Sequence, residues 1–273
     1  MDINEFTATL YFTGELTLTA EDLFEAWGRE GYTCEWNETP AANDLFSGMR
    51  GATFVWLKKC EPVDPKDLLQ ACPDFPALAE VDLDWDSTYC INPRAAWADL
   101  QQASHQASFG LRIVADPEHP QRAHNELVAS LLGIHQAAPM QGLWLHQLGA
   151  LVGRDDLDEF LAYADTQSED NAGQFAPMLA FGAFVRRDGR KSTAWSTGLD
   201  HFGHANLWVE ERGLQPLDAL NLIFSTGYMV TGGHHYSAGE TMESRGVHCH
   251  LVEEPFRDKP AMRLNWMKKA GGN

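Results

Sequence analysis

Positive charge is scarce in this chain: 20 Lys and Arg stand against 39 Asp and Glu over 273 residues, a formal net charge of −19. A field of that sign repels nucleic-acid phosphates and anionic lipid, so neither nucleic acid nor a membrane surface is expected as a partner. No apolar run approaches the roughly 20 residues that cross a bilayer. The opening MDINEFTATLYFTGEL also lacks the cationic stretch of a secretion signal, so the expected location is cytoplasmic. Cysteine is sparse. Cys34, Cys60, Cys72, Cys90 and Cys249 show no CxxC and no ligand-like spacing, and an odd count without a leader reads as reduced, buried thiols. The absence of a GxSxG elbow, a Walker A loop, a GxGxxG fingerprint and an HExxH helix argues against the commonest hydrolase and nucleotide-binding chemistries.

What is present is an ordinary globular composition, 44% hydrophobic with 23 Gly and 13 Pro. Short β-rich runs are expected as strands at 9–12, 32–36, 52–57, 109–114, 143–148, 178–186, 192–196, 205–210, 247–252 and 262–266. Helices are expected over 20–29, where Thr19 and Asp22 resemble a capping box, and over 65–72, stopped by Pro73 and Pro76. Further helices are expected from 93 onward, over 121–135 with Leu127, Leu131 and Ile134 on one face, over 154–164, and over 217–230 between Pro216 and Gly232. Asp82, Asp84 and Asp86 lack the Gly and closing Glu of an EF-hand and read as an acidic connector. This mixture of hairpins and crossovers predicts an α+β protein. The expected form is a mixed or antiparallel sheet sandwich with helices packed on one side, a single unit over 1–273 with two pseudo-lobes, 1–115 and 120–273.

Histidine is the one ligand type that clusters, with six of the eleven between 201 and 250. His248 and His250 flank Cys249 in an expected strand, so the period of two puts both imidazoles on one face. A zinc ion would need a third ligand, for which His204 is the candidate, with His201, His234, Glu240 and Glu243 as others. Paired histidines on a strand also occur without metal, so no cofactor is the leading expectation and zinc the alternative. Asp155, Asp156, Asp158 and Glu159 fit a helix start, where carboxylates complement the macrodipole. Trp195, Trp208 and Trp266 in expected strands form a candidate aromatic face for a partner.

The stretch around Thr197, Gly198, Phe202 and Gly203 resembles the signature of a bacterial family known as domain of unknown function 4261. Gly239, Glu240 and Thr241 stand where that family usually carries Gly-Asp-Thr, and His105 with the run Gly142, Leu143, Trp144 adds to the likeness, which spans about 95–252. Asn206 departs from the Glu that the family tends to carry after its Phe-Gly. The resemblance implies fold and relatedness and brings no activity with it. Read physically, glycines bracketing Thr197 and Phe202 predict a tight positive-φ connection into the next strand.

Charge, missing catalytic signatures and aromatic strands together lead to the expectation of a non-enzymatic cytosolic binding protein, of the immunity type that neutralises a basic toxin or effector. The alternatives are a metal-dependent hydrolase built on the histidine cluster and a structural protein.

Overall fold

A computed structural model describes residues 3–16, 22, 25, 35–36, 44–50, 53–60, 99–114, 121–166, 179, 181–231, 233–244 and 247–267. These form two sheets accompanied by helices, an α+β architecture as expected. By contact the chain divides into two compact units, one holding the described residues from 3 to 179 and the other those from 181 to 267. The division expected at 116–120 therefore falls inside the first unit, whose sheet takes strands from both sides of it. Of the helix expected over 20–29 only Asp22 and Glu25 are described, both helical. The helix over 65–72 and the connector 82–86 lie outside the described residues.

The first unit carries an antiparallel sheet of seven strands in the order β2-β3-β4-β5-β1-β6-β7. They are β1 (Ile3–Phe12), β2 (Glu35–Trp36), β3 (Asp44–Arg50), β4 (Thr53–Cys60), β5 (His105–Val114), β6 (Gly142–Leu145) and β7 (Ala150–Gly153). Alternation sets its inner face. Phe6, Ala8 and Leu10 pair with Leu111, Phe109 and Ala107, and these with Val55 and Leu57, and all are buried. Tyr11, Trp144, Leu151 and Leu100 form a second small cluster on the opposite face. Helix α1 (Gln121–Ala137) differs from the amphipathic expectation, being buried on every side from Glu126 to His135. Its end is tied to α2 (Arg154–Thr166) through His135, whose Nε2 bonds Asp158 Oδ1 at 2.9 Å while Nδ1 accepts the Met140 N–H at 2.9 Å.

The second unit has six strands in the order β11-β12-β13-β10-β9-β8. They are β8 (Gly182–Asp188), β9 (Lys191–Thr197), β10 (Asn206–Arg212), β11 (Thr241–Ser244), β12 (Val247–Glu253) and β13 (Ala261–Met267). All pairings are antiparallel except β10 with β13. Helix α3 (Pro216–Thr231) lies on one face, and Ala219, Leu220, Leu222, Ile223 and Val230 join Val185, Ala194, Leu207, Val209, Leu251 and Leu264 in one core. Burial of one such aliphatic side chain is worth roughly 1.5–3 kcal/mol. The opposite face carries the remaining side chains of these strands, and most of the candidate residues fall there and at its ends. Among the described residues no helix is long and apolar enough to cross a membrane.

Candidate functional site

The connection from β9 to β10 begins at Gly198 with φ 91°, runs through a 3-10 turn over Leu199–Phe202, and leaves at Gly203 with φ 76°. An L side chain in that left-handed region costs about 1 kcal/mol or more, so glycine is dictated by the path of the chain. The expectation of a tight positive-φ connection holds. Asn206 then locks it: its Oδ1 accepts the Leu199 N–H at 3.1 Å and its Nδ2 donates to Asp200 Oδ1 at 3.2 Å. A glutamate there could not donate to Asp200. Gly239, at φ 91°, turns the chain into β11, and Glu240 Oε2 accepts the Ser237 N–H at 3.2 Å. Thr241 pairs with His250 across β11 and β12. Each signature residue whose contacts are described thus shapes a loop or a strand end.

The histidines separate. His248 and His250 do share one face of β12, with His248 facing Glu243 at 3.8 Å and His250 between Thr241 and Asn265. His204 does not join them. Its ring packs on that of His235, with centroids 4.7 Å apart. Its buried Nε2 makes no hydrogen bond. Burial, and then the neighbouring His235, holds its pKa below the ordinary value, so the His204 ring is neutral near pH 7. Among the described residues no group of three His, Cys, Asp or Glu is placed to hold a metal ion. The predicted set His248, His250 and His204 is thus not assembled, because the neighbours of His248 and His250 in the sheet are Thr241, Glu243, Asn265 and Met267. Cys249 is fully buried, which pushes its thiol up to about 11 and keeps it protonated and inert.

The tryptophans also differ from expectation. Trp195 and Trp208 lie in strands, as expected, and are directly paired across β9 and β10, but they are only 3% and 6% exposed. The chain covers them itself. After β12 it makes a hairpin in which Phe256 and Lys259 pair across Arg257 and Asp258, whose φ values of 51° and 64° define a two-residue turn. Phe256 packs on Trp195 at 5.7 Å and on Trp208 at 5.2 Å, with Phe184 on the far side of Trp195 at 5.8 Å. Arg257 lies 4.5 Å over the Trp195 ring and Arg263 4.8 Å over Trp208. Trp208 Nε1 donates to the Glu254 carbonyl at 3.0 Å, and Arg263 Nη1 donates to both Glu254 carboxylate oxygens. A partner would meet Phe256 and Arg257 first. Trp266 faces the opposite way, packing half-buried against the core under α3.

In the first unit one contact escaped sequence reasoning, and one carboxylate expected at a helix start has an environment that the sequence did not show. Thr9 Oγ1 lies 2.9 Å from His146 Nε2, and Gln147 ties the same turn to Thr7 by accepting its N–H at 2.9 Å and donating to its hydroxyl at 3.0 Å. Burial lowers the His146 pKa, leaving a neutral imidazole against a hydroxyl. Thr9 is 8% exposed, so the contact sews a turn to β1 in the same manner as Gln147. The carboxylate is Asp156 at the start of α2. Its carboxyl is pushed up to about 6, first by burial and then by Glu159, Asp155 and Asp99, against the opposing bond from the Gly153 N–H.

Charge is divided unevenly along the sequence. Residues 1–180 hold 29 Asp and Glu against 9 Lys and Arg, net −20, and residues 181–273 hold 10 against 11, net +1, which together give the −19 of the chain. Compared with known proteins, the chain matches no family model, no curated protein and no solved structure.

Proposed function

We propose that this is a non-enzymatic binding protein that takes a basic protein partner on the portion formed by residues 1–180, in the manner of an immunity protein occupying a cationic toxin or effector. The observation that carries the reading is the charge partition, −20 against +1. Charge spread only for solubility has no reason to concentrate in one part of a chain, whereas a surface that steers a cationic partner does. The exposed carboxylates of α2 give it a local expression. Asp155, Asp158 and Glu159 are exposed around Asp156, whose ionisation the charges of Glu159 and Asp155 already oppose. A cation brought to this face relieves that opposition. Relatedness to the domain-of-unknown-function family remains part of the same proposal, supported by the positive-φ glycines at 198, 203 and 239.

The test uses the full chain as bait in a lysate of the producing organism, beside the exposed-site variants Asp155→Lys with Glu159→Lys and Asp218→Lys with Glu243→Lys. The expected result is a basic protein that the first variant loses and the second keeps. Recovery of neutral or acidic proteins alone, or equal loss by both variants, overturns the reading.

A further inference from the structure

The acidic balance of the chain reverses at one end of the second sheet. β8 and β9 meet at a turn through Gly189 and Arg190, and Arg186, Arg187, Arg190 and Lys191 cluster there, with Arg212 of β10 paired opposite Lys191. All five are exposed. Lys191 is engaged by Glu210 at 2.6 Å, and Arg187 Nε donates to the Gly189 carbonyl at 3.1 Å. Arg186, Arg190 and Arg212 make no ion pair among the described residues. Alternation places Arg186 and Arg212 on the face of Trp195 and Trp208, and Arg187 on the opposite face.

The same strand is open. β8 ends the sheet and pairs only with β9 among the described residues, and no other backbone hydrogen bond reaches it. About half of its N–H and C=O groups therefore point outward. Charged side chains, lysine especially, commonly guard such an edge against self-pairing. In a chain of net charge −19, an exposed end that carries three arginines and Lys191 beside a single carboxylate, Asp188, with the arginines on both faces of the strand, also offers a cationic surface to an acidic partner.

We propose that the free edge of β8 receives an extended segment of a partner protein, apolar where it passes Ala183, Phe184 and Val185 and acidic where it passes Arg186, Arg187 and Arg190. The added strand would satisfy the outward backbone groups, and its carboxylates would supply the counter-charge that the arginines lack. A polynucleotide would meet the arginines and leave the edge unpaired, which is why a protein segment is the better fit. The proposal is independent of the acidic-face reading, since it concerns residues 182–191 and 212 alone.

The experiment measures binding of fluorescein-labelled Val-Ile-Val-Thr-Glu-Asp-Glu, and of the same peptide in reverse order, to the full chain by anisotropy. The comparison proteins carry Arg186→Glu with Arg190→Glu and are checked for an unchanged circular dichroism spectrum. The expected result is saturable binding of one orientation, weakened at least about tenfold by the double variant and by raising salt from 50 to 300 mM. A peptide N-methylated on alternate residues should lose binding. Four outcomes overturn the proposal: neither peptide binds, the double variant binds as well as the parent, the N-methylated peptide binds equally, or a twelve-residue oligothymidylate binds more tightly than either peptide. Self-association of the double variant without loss of peptide binding would assign the arginines to edge protection instead.

Discussion

Asn206→Asp preserves the side chain's shape and its acceptor for the Leu199 N–H, but replaces the donor facing Asp200 with a second carboxylate oxygen. A bond of 3.2 Å to a charged acceptor becomes a contact between like charges. Losing the bond costs about 1–2 kcal/mol. Two unit charges at about 4 Å repel by roughly 1 kcal/mol in water and roughly 4 kcal/mol at an effective dielectric of 20. Asp200 is exposed and Asn206 half-buried, so the repulsion belongs near the lower figure, and a stronger acceptor for Leu199 returns part of the loss. The net is about 1–2 kcal/mol at pH 7, a fall in Tm of about 3–6 °C. Urea unfolding followed through the fluorescence of the buried Trp195 and Trp208 measures it, since both rings lie on the strands that this connection joins. At pH 3.5 a protonated carboxyl can donate again, and the deficit should shrink. A variant as stable as the parent at pH 7, or a deficit that persists undiminished in acid, would refute the latch.

Asp156, raised to about 6, burdens the folded state once ionised: the cost is absent below the unfolded value of 3.8 and complete above about 6. Asp156→Asn keeps an acceptor for the Gly153 N–H and should raise stability at pH 7 by about 2 kcal/mol, with little gain at pH 4, as read by chemical denaturation. His135 is held below its ordinary 6.5, chiefly by burial, so the unfolded chain takes up its proton first and stability falls as pH drops below about 6.5. Between pH 7.5 and 5.5 the parent should therefore lose more stability than His135→Gln, although the variant starts lower because Met140 and Asp158 lose their partner. In the hairpin over the tryptophans, Asp258→Gly removes a left-handed strain at φ 64° and should raise Tm by about 2–4 °C in differential scanning calorimetry, while Arg257, which packs on Trp195, is left in place.

The strands with unbroken apolar or β-branched alternation were legible, as at Phe109 to Val114 and Ser192 to Ser196, because pattern and burial coincide there. β3 was not: Asp44, Ser47 and Gly48 interrupt any apolar alternation, and the strand is paired along its length with β4. β7 and β11, with four residues each, are too short to show a period. In α1 the polar residues Glu126, Ser130 and His135 mimic a solvent face, yet all are buried. The division between units leaves a trace in the polar run QSEDNAGQ at 167–174, whereas the Pro-rich stretch at 116–120 pointed to the wrong place. At the candidate sites the strands that carry Trp195 and Trp208 were anticipated, but the covering hairpin could not be, since Arg257 and Asp258 take positive φ without the Asn or Gly that usually announces it. His204 illustrates the limit of counting ligand types: membership of the 201–250 histidine cluster did not assemble it into a metal-holding group with His248 and His250 among the described residues, and its ring packs on His235.

Recognition of a basic partner by the acidic portion is tested most directly by the association rate of the captured partner as a function of ionic strength. Steering by a net charge of −20 on residues 1–180 should make that rate fall at least about tenfold between 20 and 300 mM salt, with a visibly flatter dependence for Asp155→Lys with Glu159→Lys. A rate unchanged by salt, or an unaltered slope in that variant, would contradict it.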